Sequence, residues 1–151
     1  MNTGNYQLEL KNDKNLLLTS VESMELSFEK CFKIGLKNKY NFEEQESFDS
    51  LSSKFARVPD IYTQKILKTI FMLLRENPQS FIDKANLAEK LSIIPSAENL
   101  IAIRDLRNEI VHEYIIEELP DIYKEIFSQY RNLIDSIKAT ESFVNERGWV
   151  K

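Results

Sequence analysis

From Leu17 to Phe32 the apolar residues fall three and four apart: Leu17, Val21, Met24, Phe28, Cys31 and Phe32. That spacing puts them on one side of an α-helix and is incompatible with the alternation of a strand. The same rhythm returns in three later stretches, and no alternating stretch interrupts them. Helix breakers are scarce, with 3 glycines and 4 prolines in 151 residues. A chain so patterned is restricted to packed helices.

The first helix is predicted from Lys14, capped by Asp13, to about Lys37, with residues 1–12 as a loose lead-in. Lys30, Lys33 and Lys37 line up near its C-terminal end, either as favourable charges against the helix dipole or as a stripe that tracks phosphates. Asn38 to Phe42 reads as a loop. A second helix begins near Glu43 and carries Phe48, Leu51, Phe55, Val58, Ile61 and Tyr62. Pro59 cannot donate to the helix ladder, so a kink or short break is expected there before the pattern resumes through Ile66, Leu67, Ile70, Phe71 and Leu74. At this spacing the aromatic stripe reads as core rather than as a stacking platform.

Asn77-Pro78 punctuates the chain, and Ser80 can cap a short helix from Phe81 to Leu91. Ser96 opens the next helix, with Leu100, Ile103, Leu106, Ile110 and Val111 as its buried stripe. Leu119-Pro120-Asp121 starts the last, since proline suits a first turn. Its buried side is Ile122, Tyr123, Ile126, Phe127, Tyr130, Leu133, Ile134 and Ile137. It ends near Arg147, with Gly148 as the stop. The expectation is one all-α domain over residues 1–151, an antiparallel up-and-down bundle of four long helices plus one short helix.

Composition narrows the function classes. The net charge of −4 opposes a broad nucleic-acid footprint, so any RNA contact is local. A single cysteine, Cys31, cannot form an internal disulfide, which suits a reducing cytosol, and its apolar neighbours mark it as a small buried hydrophobe. Neither a signal peptide nor a run of apolar residues of membrane-spanning length is evident, so a cytoplasmic location away from membranes is expected.

The chemistry concentrates in Arg104-Asp105-Leu106-Arg107-Asn108-Glu109-Ile110-Val111-His112-Glu113-Tyr114, which holds the only histidine. Imidazole can exchange protons near neutral pH. Arg107 stays charged and can fork onto a phosphate. Asn108 can orient either group. Together they suffice to break a phosphodiester without a metal: His112 takes the proton of a ribose hydroxyl while Arg107 offsets the charge building on phosphorus. Arg104, one turn earlier, is a further candidate phosphate contact. Five positions turn a helix by about 140°, so Arg107 and His112 do not share a face, whereas Asn108 and His112 do. Two subunits meeting at this helix would pool two copies of each residue.

Duller readings stand beside this one. Arg104 and Arg107 can be surface charges paired with Asp105 and Glu109, contributing little. Tyr114 can simply pack. Glu109-Ile110-Val111-His112 has the Glu-x-x-His spacing of carboxylate-bridged metal bundles, but a lone histidine would need a second subunit to complete such a site. A thiol dyad of Cys31 with His112 is disfavoured by the apolar setting of Cys31.

Arg107, Asn108, His112 and Tyr114 resemble the signature of the HEPN superfamily, and within it the HepT-like toxins: arginine, four residues with a polar one first, histidine, any residue, tyrosine. Phe48-Asp49-Ser50-Leu51-Ser52-Ser53-Lys54-Phe55-Ala56-Arg57 resembles the second-helix pattern of that family, so the likeness spans roughly Phe48 to Tyr123. It implies a homodimeric helical bundle acting as a metal-independent endoribonuclease toxin, with Arg107, His112 and Asn108 at the interface site and no cofactor. It further implies an antitoxin partner, an MNT-type nucleotidyltransferase, that attaches AMP to Tyr114 and so fills the cleft with charge and bulk. Glu109, Glu113, Glu117, Glu118 and Asp121 give the motif acidic company that opposes RNA. The rival reading is a non-catalytic nucleotide- or partner-binding module that accompanies a nucleotidyltransferase; a third is a plain scaffold.

Overall fold

A computed structural model describes residues 2–112 and 118–150. Among these the chain is all-helical: α1 (Thr3–Ile34), α2 (Phe42–Ile61), a π-helical turn (Tyr62–Leu67), α3 (Lys68–Leu73), α4 (Phe81–Lys90), α5 (Ala97–His112) and α6 (Leu119–Glu146).

Helix α1 starts at Thr3, so the lead-in expected to be loose over residues 1–12 is helical from Thr3 onward. Asn2, not Asp13, is the cap, its side chain accepting from the Asn5 N–H at 2.9 Å. The reason is tertiary. Leu10 is buried, and with Leu17, Met24 and Cys31 it forms a stripe that repeats every seven residues. Leu10 gives the polar first turns a purchase on the core that their composition conceals. Gly35 closes the helix at φ 82°, a conformation side chains resist, which ends α1 short of Lys37. Lys37 lies beyond the helix and pairs with Glu44, so the expected lysine row does not extend to it. Asn41 and Glu44 then form a reciprocal capping box that starts α2.

Pro59 does not break the chain. Helix α2 continues to Ile61, and the disturbance appears just beyond as the wide turn at 62–67. Proline supplies no N–H to the preceding turn, and the Thr63 hydroxyl donates to the Pro59 carbonyl at 2.8 Å. The turn keeps Tyr62, Ile66 and Leu67 buried. Tyr62 anchors it: its hydroxyl lies 2.6 Å from that of Thr140 and donates to the Ser136 carbonyl at 3.2 Å, while the Thr140 hydroxyl donates to the Ile93 carbonyl at 3.1 Å. This buried relay ties the π turn to α6 and to the α4–α5 connection.

Side-chain links give the helix directions. Lys37 meets Glu44, and Lys54 donates to Ser27 at 2.6 Å, so α1 and α2 run antiparallel. Lys14 pairs with Glu141 while Phe28 stacks on Tyr130, so α1 and α6 also oppose each other. Tyr123 donates to Asp49 and Tyr62 reaches Thr140, so α2 and α6 run the same way. Helix α5 packs between α6 and α2, with α4 across it. None of the described helices is long and apolar enough to cross a membrane.

An aromatic cluster fills one end. Phe48 has no exposed surface and stacks on Tyr123 at 4.6 Å, with Tyr40 at 4.8 Å and Phe127 at 5.8 Å. The aromatic stripe is therefore core, as its spacing suggests. In α5, Leu100, Ile103 and Leu106 are buried, but Ile110 is only partly so and Val111 is 43% exposed. The expected buried stripe of this helix is two residues too long.

Two outcomes follow from this packing. Phe48→Ala removes the hub of the aromatic cluster and lowers unfolding free energy by about 3–5 kcal/mol, read from denaturant titration. Burial raises the Cys31 thiol from 9.0 to about 11. The native state therefore holds a proton that the unfolded chain releases. That contribution to stability is complete below pH 9 and is lost as pH rises toward 11. A thiol reagent at neutral pH labels Cys31 only on unfolding, and the fall in stability above pH 9 is shallower in Cys31→Ala.

Candidate phosphate-binding cleft on α5

Ser96 caps α5: its hydroxyl accepts from the Asn99 N–H at 3.1 Å, with Glu89 accepting from the Ala97 N–H at 3.1 Å. Leu100, Ile103 and Leu106 then fix the roll of the helix by facing the core. That roll turns Arg104, Arg107 and Asn108 outward into an open cleft of about 510 Å³ between α5, the π turn, α3 and α4.

Arg107 is held rather than free. Its Nη2 donates to Asp60 Oδ2 at 3.0 Å, and its Nε lies 3.0 Å from Asp60 Oδ1 without hydrogen-bond alignment. Its Nη1 donates to Asn108 Oδ1 at 3.2 Å. The side chains of Arg107 and Asp60 are 28% and 35% exposed, so water still screens the pair. The pairing with Glu109 that the sequence allowed is replaced by one 47 positions away, because α2 lies beside α5. Arg104 does approach its neighbour Asp105, at 3.6 Å. Its guanidinium also covers the ring of Phe81 at 4.4 Å, while its Nε is buried without a hydrogen-bond acceptor.

Of the candidate residues, Arg107, Asn108 and Arg104 come together in this cleft. His112 does not line it; it is exposed as the last described residue of α5. Tyr114, with Glu113 and Glu117, lies outside the described residues. Cys31 is fully buried, which argues against a thiol dyad with His112. Among the described residues no three histidine, cysteine or carboxylate groups gather as a metal site would require.

Asp60, Lys68, Phe81 and Lys84 also line the cleft and were not singled out in the sequence. Nothing local marks them. Only the Pro59-Asp60 step hinted at special backbone, and it gave no sign of a partner on α5.

Because the Asp60–Arg107 pair is partly solvated, Arg107→Ala costs about 1 kcal/mol or less in denaturant titration and leaves helical content intact. A larger loss would make Arg107 a structural residue. No family model, curated protein or solved structure matches the chain.

Proposed function

We propose that the chain is a metal-independent endoribonuclease of HepT-like HEPN type. It acts as a homodimer in the cytoplasm and serves as the toxin of a toxin–antitoxin pair. The supporting observation is the placement of Arg107 and Asn108 in an open, cation-rich cleft on the helix that carries an exposed His112. Within one protomer His112 stands off that cleft, so the reading requires a second protomer whose motif helix faces the first.

In that arrangement His112 takes the proton of the ribose 2′-hydroxyl. The freed oxygen attacks phosphorus, and the bond to the 5′-oxygen breaks. Water protonates the departing oxygen and recovers the proton from His112, leaving a 2′,3′-cyclic phosphate and a 5′-hydroxyl. Arg107 carries the added charge on the phosphoryl oxygens and Asn108 orients it. For this Arg107 must exchange the Asp60 carboxylate for phosphate, which a screened pair permits at small cost. Attachment of AMP to Tyr114 by an MNT-type nucleotidyltransferase would add charge that competes for the same guanidinium.

A second reading has its own observation. Arg107 paired with Asp60, and His112 outside the cleft, also describe a site that binds a nucleotide phosphate and cuts nothing.

Purified protein incubated with RNA in EDTA separates the two. The nuclease yields shortened RNA with cyclic phosphate ends, and Arg107→Ala and His112→Ala each lower the rate at least a hundredfold and relieve growth inhibition in cells. Intact RNA with the wild type, or equal cleavage by both variants, removes the nuclease reading.

A further inference from the structure

The cleft contains more positive charge than the Arg/His motif supplies. Lys68 from the start of α3 and Lys84 from α4 line it together with Arg104 and Arg107, against the carboxylate of Asp60 in the lining and that of Asp105, 3.6 Å from Arg104. In a chain of net charge −4 this is a local inversion of sign. Neither lysine's side chain makes a hydrogen bond or ion pair to any described residue. Lys37 and Lys14, by contrast, have carboxylate partners.

Two further details point the same way. The buried Nε of Arg104 makes no hydrogen bond among the described residues, with the Asp105 carboxylate 3.6 Å away, while the guanidinium is held in place by the face of Phe81. An arginine fixed by an aromatic ring, with 38% of its side chain still exposed, meets an anion at little entropic cost. The cations also come from different elements: Lys68 from α3, Lys84 from α4, Arg104 and Arg107 from α5. They surround a volume rather than lying along one helix face. About 510 Å³ accommodates a nucleotide.

We infer that Lys68, Lys84 and Arg104 form a binding subsite for a nucleotide phosphate ester, separate from the phosphate that Arg107 would engage. Its polymer source, a phosphate of the RNA strand next to the one being cut, rests on the function proposed above; the anion site itself does not. The same chemistry is offered by a free nucleoside monophosphate, and the experiment distinguishes the two. Phe81 holds the Arg104 guanidinium 4.4 Å from its ring, and Gln64 and Asn108 in the lining offer neutral hydrogen bonds.

The test uses full-length protein carrying His112→Ala, so that cleavage does not intrude. Binding of a fluorescent single-stranded RNA oligonucleotide and of AMP is measured across a salt series, with and without Lys68→Gln/Lys84→Gln. The subsite predicts at least a tenfold loss of RNA affinity and a log–log salt slope flatter by about 1.4, two single-strand phosphate contacts. Loss of AMP binding with RNA affinity unchanged assigns the same site to a free nucleotide. Lys30→Gln/Lys33→Gln serves as the control, and thermal melts confirm that every variant is folded. Unchanged binding of both ligands, or an equal loss in the control pair, overturns the subsite. If lysine-dependent binding holds while protein retaining His112 leaves RNA intact, the nuclease reading falls and the subsite stands.

Discussion

The buried stripe of α1 governs the rest of the molecule. Leu10, Leu17, Met24 and Cys31 recur every seven residues, so a long and largely polar helix presents one narrow apolar seam. A seam that narrow buries itself only if neighbours run along its whole length. Helix α2, with its π turn and α3, provides that cover, and α6 adds Phe127 and Tyr130 against Phe28 and Glu141 against Lys14. Once α1 and α2 are antiparallel, Asp60 comes to lie late on α2, beside α5. The position of the cleft is thus a consequence of core packing some distance from it.

The π turn has a similar role. It lets the chain continue past Pro59 while still burying Tyr62, Ile66 and Leu67. Tyr62 then secures the turn to Thr140 and, through it, to Ile93 at the entrance to α5. Thr63, Gln64 and Lys68, around that turn, form one wall of the cleft while α5 forms another. Cleft geometry is therefore coupled to a buried hydroxyl relay, and the side chains that would meet a ligand stay solvated. Such a division leaves Arg107 free to exchange its partner without disturbing the core.

Much of the helical layout was legible because its signals are local. Ser80 caps α4, Ser96 opens α5, Pro120 sits in the first turn of α6, and the apolar rhythm of α6 matches its buried face. The start of α1 was not legible, because Leu10 alone anchors several polar turns and only a neighbour reveals that. Val111 misled for the opposite reason: it fits the rhythm of α5 but lies beyond the cover of the adjacent helices. Of the candidate site, Arg104, Arg107 and Asn108 could be named from one short run. Asp60, Lys68 and Lys84 could not, since their meeting depends on helix directions that no local pattern encodes. The separation of His112 from the cleft was foreshadowed by its five-residue offset from Arg107.

That offset makes subunit exchange the most direct measurement. Arg107→Ala protein and His112→Ala protein are each unfolded, mixed and refolded together, then assayed on RNA in EDTA. If arginine and histidine are contributed by opposite protomers, mixed dimers retain one intact pairing, and the mixture cleaves RNA although neither parent does. A mixture as inactive as its parents, from wild-type subunits that regain full activity under the same treatment, contradicts a site shared between protomers.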